Sequence, residues 1–328
     1  MKNLKNIKIF ALTTFISLGL FSCSSDDETG TPQLDTIAGI ASDNDNLSIL
    51  VQALVKADLA GVLDSPGNYT VFAPTNAAFT SFLSANGFAN LDAVPTALLK
   101  EVLLNHVVSG TLQSSQINTG YVKTLGKGSA SSTNTLSMYV AASSTGIRLN
   151  NQSNVVLNSA NILASNGIVH VVDAVIGLPT VVTFATADPN FSTLATALTT
   201  LTPGTDFVSI LNRTNTGNTD GINPPFTVFA PTNDAFTALN TELAPTGIAG
   251  LTEAQLTSAL LYHVVGGANV LSTQIPATPI TTLETGTFSI TGTVITDENN
   301  RNTNIIAVDV QAANGVIHVL DRVLLPTL

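Results

Sequence analysis

The sequence predicts an α+β fold written twice, and three observations carry that prediction. First, three motifs recur in the same order: Tyr69-Thr-Val-Phe-Ala-Pro-Thr-Asn76 returns as Phe226-Thr-Val-Phe-Ala-Pro-Thr-Asn233, Leu104-Asn-His106-Val-Val as Leu261-Tyr-His263-Val-Val, and Asn166-Gly-Ile-Val-His170-Val-Val-Asp173 as Asn314-Gly-Val-Ile-His318-Val-Leu-Asp321. Second, within each copy the apolar residues fall at helical spacing early and alternate in strand fashion later. Third, each copy closes on an Asn-Gly pair between apolar runs, which signals a hairpin. A chain of 328 residues is long enough for two such domains, each with its own core.

The amino terminus stands apart from the repeats. Lys2, Lys5 and Lys8 precede an apolar run over residues 9–21, too short to span a bilayer as a helix but of signal-peptide length. The only cysteine, Cys23, follows it in Leu20-Phe-Ser-Cys23, which resembles the box of a bacterial lipoprotein whose signal is cut before a lipid-bearing cysteine. Ser24-Ser-Asp-Asp-Glu28 then resembles the acidic tag of surface-displayed lipoproteins, and Thr29-Gly-Thr-Pro32 has tether composition. We therefore expect a signal peptide at 1–22, a lipid on Cys23, a tether at 23–34, and domains at 35–179 and 180–328 joined at Leu178-Pro179-Thr180.

The elements of a copy follow in order. Leu47, Leu50, Leu54 and Val55 lie at helical spacing behind Asp43-Asn-Asp-Asn46, which can cap a helix. Thr70-Val-Phe-Ala73 is a short β-branched and aromatic strand that stops at Pro74. Thr75-Asn76 and Thr232-Asn233 are expected to cap helices that carry Phe79 and Phe236 inward. Pro95 sits near the start of the next helix, where the second copy has Thr252 and Gln255 at capping-box spacing. Strands follow, and Asn166-Gly167 and Asn314-Gly315 are expected to form type I′ turns. The copies differ in two insertions rich in Gly, Ser, Thr and Asn, near 126–134 in the first and 212–224 in the second, expected to be exposed loops that carry specificity.

This motif order, closing in Leu-Pro, resembles the fasciclin domain over almost all of both copies. The resemblance implies two tandem fasciclin-like domains, each with a β-sandwich-like core and packed helices, and a role in extracellular adhesion or matrix interaction without catalysis. It also implies a partner contact at the Tyr-His pair, which stands here as Tyr262-His263 in the second copy and as Asn105-His106 in the first.

Four histidines in matched places raise metal or acid–base chemistry, since imidazole serves both. Their spacing argues for the interior. Leu99, Leu103 and His106 share a helix face, as do Leu256, Leu260 and His263, while His170 and His318 alternate with Ile168 and Val172, and with Val316 and Leu320, along a strand. Asp173 and Asp321 fall on the opposite strand face. There is no Gly-x-Ser-x-Gly elbow and no His-Glu-x-x-His, and the stretch from Gly120 to Lys127 has Gly128 where a phosphate loop needs Ser or Thr. No enzyme activity, metal or cofactor is expected.

Beyond residue 22 the chain carries 8 basic against 22 acidic side chains, which leaves no footprint for nucleic acid. The expected partners are a protein, matrix or glycan ligand and, through Cys23, the membrane; the expected place is the cell envelope, on the outer membrane surface. A glycan-binding accessory lipoprotein is the alternative. Against it stands a chain without Trp and with only four Tyr, the rings on which sugars stack.

Overall fold

The computed structural model describes residues 34–327, which form one compact unit. The expected signal peptide, Cys23 and the tether to residue 33 lie outside the described residues. No described helix is long and apolar enough to cross a membrane.

In the first copy the strands are β1 Tyr69–Pro74, β2 Val107–Ser109, β3 Gly120–Gly128, β4 Ser131–Ser143, β5 Gly146–Leu149, β6 Ser153–Asn154, β7 Ile162–Ala164 and β8 Gly167–Val172. They make one sheet in the order β6-β5-β4-β3-β2-β1-β8-β7. The second copy has β9 Phe226–Pro231, β10 Val264–Gly266, β11 Ile280–Thr281, β12 Thr287–Thr291, β13 Val294–Thr296, β14 Asn302–Ala312 and β15 Gly315–Leu320, in the order β10-β9-β15-β14-β13-β12-β11. Near one end of each sheet the first strand runs parallel to the last, β1 with β8 and β9 with β15.

Each sheet curls back on itself. In the first copy Val155 bridges Val172 and the Val156 N–H reaches the Val171 carbonyl at 2.8 Å, bringing the β6 end round to β8. In the second the Leu283 N–H, just past β11, donates to the Val264 carbonyl of β10 at 2.7 Å. Curling gives a strand two buried faces, so alternate residues enter different cores. On β1, Val71 and Ala73 join Leu50, Leu54, Phe79 and Leu99 under the helices, while Phe72 points inside the curl with Met138, Leu149 and Val172. On β9, Val228 and Ala230 face the helical core with Phe184 and Phe236, and Phe229 faces the interior with Phe288 and Ile295. Two dry layers per copy account for stability without a disulfide.

Helix starts show how local chemistry sets the elements. Thr75 and Thr232 are N-caps whose hydroxyls accept from Ala78 N–H and Ala235 N–H. Asn76 and Asn233 do not cap these helices; each sits at the first helical position and fastens the start of an earlier helix. Asn76 Oδ1 accepts from Ile49 N–H and its amide donates to the Asp45 carbonyl; Asn233 Oδ1 accepts from Thr193 N–H and its amide donates to the Pro189 carbonyl. Thr252 and Gln255 form a reciprocal capping box, and Pro95 is itself the N-cap. Val55 is exposed, so the core stripe of its helix is Leu50, Ala53 and Leu54, with Leu47 buried just before the helix starts.

The Asn-Gly signal has a different cause from a type I′ turn. The two-residue loops are Ser165-Asn166 and Ala313-Asn314, since Ala164 pairs with Gly167 and Ala312 with Gly315, and none of the four loop residues has positive φ. The glycines are the first strand residues. A Cβ on Gly167 would lie 2.1 Å from the Tyr69 carbonyl oxygen, and one on Gly315 2.2 Å from that of Phe226. The asparagines are buried ties: Asn166 accepts from Ile37 N–H and donates to the Leu63 and Ser65 carbonyls, and Asn314 accepts from Val181 N–H and donates to those of Leu211 and Arg213. Gly315→Ala should therefore destabilise the second copy by about 1–3 kcal/mol, as overpacking does. Chemical denaturation checks this, and an unchanged midpoint would refute the close-approach account.

The insertion near 126–134 is not a free loop. It forms the ends of β3 and β4, and their hairpin clasps the second copy: Ala130 N–H donates to the Ala313 carbonyl at 2.8 Å, and a Cβ on Gly128 would lie 2.2 Å from Ala313 Cα. Along the same strands Tyr121 and Tyr139 pack edge-on, Tyr121 meets Phe184 at 5.5 Å, and Gln311 N–H donates to Ser137 Oγ at 3.0 Å. Tyr139 belongs to the helical core of the second copy. The small residues of the hairpin tip, Gly128, Ser129 and Ala130, suit a close packed contact, which composition alone does not distinguish from a solvated loop.

Candidate functional site

The four residues singled out for partner contact, Asn105, His106, Tyr262 and His263, are all buried. The helices Thr96–Leu104 and Glu253–Tyr262 end at these positions, so the histidines lie just beyond or at the helix end, not on its free face. His106 Nδ1–H donates to the Val102 carbonyl at 2.7 Å and Nε2 accepts from Ile176 N–H at 2.9 Å. His263 repeats this with the Ala259 carbonyl at 2.6 Å and Leu324 N–H at 2.9 Å. Each imidazole thus rivets a helix end to the segment leaving the last strand. Burial lowers both pKa values to about 4, against the opposing pull of the bond to the backbone carbonyl. A neutral ring with both nitrogens engaged has no lone pair left for a metal or a proton transfer.

Tyr262 fills the inside of the second curl, ring to ring with Phe288 at 5.8 Å. Its hydroxyl donates to the Thr287 carbonyl at 2.7 Å and accepts from Glu298 N–H at 3.2 Å, and burial pushes its pKa up. Asn105 occupies the matching place, donating to the Gly177 carbonyl at 3.0 Å and accepting from Thr124 Oγ1 at 3.2 Å. The difference between the copies is a difference of core filling. Neither residue offers a surface to a partner, which corrects the expectation drawn from the resemblance.

His170 and His318 sit inside the curls, stacked on Phe72 at 5.7 Å and Phe229 at 5.3 Å. They use the opposite tautomer: Nε2–H donates to the Leu112 or Val270 carbonyl. His170 Nδ1 accepts from Asn161 N–H at 3.2 Å, whereas His318 Nδ1 has no partner among the described residues. Burial lowers both pKa values. Asp173 and Asp321 bind the backbone N–H and side-chain amide of Asn154 and Asn304, closing the strand ends.

One matched pair escaped the motif reading. Asn161 and Asp309 both have φ near 60° and both hold a neighbouring loop, Asn161 through Ser114 and Asp309 through Ser272. Asp309 also offers its carbonyl to Lys123 Nζ of the first copy at 2.8 Å. An Asn-to-Asp change in otherwise unlike sequence leaves only the shared nine-residue offset before His170 and His318 as a signal. The insertion at 212–224 folds around an Arg213–Asp220 ion pair at 2.8 Å.

Among the described residues no group of three or more His, Cys, Asp or Glu could hold a metal ion. An open concavity of mixed lining lies at the seam where the copies meet, beside Tyr121, Asp188 and Asn233, and a more polar one lies next to it on the first copy around Ser114 and Ser143.

A family model described as the fasciclin domain matches residues 45–179 and 189–326. Protein sll1483 of Synechocystis sp. is 34% identical over 149 residues, covering 45% of this chain and 77% of that protein. Human periostin is 27% identical over 271 residues, covering 80% of this chain and 29% of periostin. Among solved structures, the FAS1 domain pair from the insect cell adhesion molecule fasciclin I aligns with a TM-score of 0.51 at 18% identity, covering 87% of this chain and 98% of that one, a likeness of fold.

Proposed function

The chain belongs to the fasciclin domain family, and from that premise we propose that it is a non-catalytic adhesion or interaction module, tethered to the cell envelope by lipid on Cys23 and displayed on the outer membrane surface. Its domains are taken as 35–179 and 180–328. The observation that carries the reading is the use of the recurring polar residues as rivets. The histidines, Asn166 and Asn314, and Asp173 and Asp321 all spend the hydrogen bonds they make within the chain, chiefly on its backbone, so the repeated motifs build a scaffold and the outer surface is left for recognition. With no Trp and four Arg in the whole chain, single contacts are weak anchors, and many copies held on one membrane supply the strength.

Cys23→Ser separates the anchor from the module. Cells making it should release the chain into the medium and lose adherence, while the released chain unfolds at the same temperature as the wild type. Cell-bound protein that protease shaving removes equally from both strains would rule the lipid anchor out.

A further inference from the structure

The geometry points to a binding trough for a neutral oligosaccharide that starts at the seam between the two copies and runs onto the first, an inference that rests on reading the chain as an interaction module and names its ligand. Two concavities make the trough, of about 530 Å³ and about 500 Å³, and Thr119 borders both. Each is within the ordinary range for small-ligand sites, and together they suit an elongated ligand of more than one ring.

The larger concavity combines two kinds of surface. On one side Asn190 and Asp234 are exposed, an amide that donates and accepts beside a carboxylate that accepts, a pairing matched to vicinal hydroxyls. Asp188 beneath them is buried and already engaged: Oδ2 accepts from Tyr121 Oη–H at 3.0 Å and Oδ1 from Asn190 N–H at 3.0 Å, which positions Asn190. On the other side Ile306 and Ala307 line the cavity as part of an exposed apolar stretch of β14 that runs on to Val308. Ile306 is 56% exposed, an apolar side chain left in water beside polar groups, and it would pack on the C–H face of a pyranose in place of the aromatic ring that sugar sites commonly use. The smaller concavity continues with the hydroxyls and amide of Ser115, Asn118 and Ser144.

Charge selects among ligands. No Lys or Arg lines either concavity, so phosphate, nucleic acid and acidic polysaccharide lack a counter-charge. Asp234 is the single exposed carboxylate, and the remaining polar groups are uncharged hydroxyls and amides, which favours a neutral saccharide over a cationic peptide.

The full chain in detergent is the material for the test, probed with an array of neutral glucan, xylan, mannan and galactan fragments and with an oligolysine peptide. Wild type should bind at least one neutral fragment, and the double variant Asn190→Ala/Asp234→Ala should bind it on the order of ten-fold more weakly. Both positions are exposed, so its unfolding temperature should not change; if it does, Ile306→Asp tests the apolar wall instead. A blank array, unchanged binding by the variants, or binding of oligolysine alone would overturn the proposal. Cells that still adhere when the array is blank would leave the interaction module standing without its saccharide site.

Discussion

Taking the protein from pH 7.5 to pH 5 is expected to remove about 4 kcal/mol of folding stability, close to 2 kcal/mol from each of His106 and His263. Both rings are buried and both are held at a pKa of about 4 in the folded chain, below the ordinary value of 6.5, because desolvation penalises the imidazolium. A histidine lowered in this way binds its proton more readily in the unfolded chain. Its stabilising effect is complete above the unfolded value, is lost as pH falls through 6.5, and levels off near 4. His170 and His318, lowered by burial as well, push in the same direction. Protonation of His106 would also set an N–H against the Ile176 N–H that now donates to it. Denaturant titrations at half-unit pH steps measure the effect, and a stability that is flat between pH 6.5 and 4.5 would contradict it.

Tyr262→Ala should cost about 3–5 kcal/mol, the range for emptying a buried aromatic site. The ring lies among Phe229, Phe288 and Leu324, so its removal leaves a cavity inside a curl whose wall is continuous sheet and cannot collapse freely. Tyr262→Phe isolates the hydroxyl: it strands the Thr287 carbonyl and Glu298 N–H, and the cost should be about 1–3 kcal/mol. Unfolding midpoints for the two variants give both numbers, and an Ala variant as stable as wild type would show that Tyr262 does not fill the core. Binding by whatever fraction stays folded should be unaltered, since the side chain is fully enclosed.

The element types were legible because each is set by neighbours in sequence. The stop at Pro74, the Thr75 and Thr232 caps and the Thr252–Gln255 box are local hydrogen-bond and dihedral constraints, and they stand in the fold as helix and strand ends. Where a residue's reason lies across the fold, the same letters misled. Gly167 and Gly315 answer to the backbone of a parallel strand some ninety residues or more away, not to a turn. Asn76 and Asn233 answer to an earlier helix.

For the site the division is sharper. Tyr262 beside His263 has the look of a surface handle, because Tyr is amphipathic and a motif that varies between copies suggests specificity. Burial is a property of the curled sheet, and the sheet encloses both Tyr262 and Asn105. The hairpin tip near 126–134 has loop composition, yet Gly128 and Ala130 lie against Ala313 because small residues let two backbones approach.

Sequence alone was enough for the α+β class, the duplication and the fasciclin family, since these rest on periodicity and on motifs repeated in order, which survive any insertion between them. Which polar groups face water was decided only in three dimensions. A sheet that closes on itself turns both faces of β1 and β9 inward, and two copies pressed together bury Tyr139 of one in the core of the other while opening a concavity beside it. Such placements come from chain segments far apart in sequence meeting in space, and no local pattern records them.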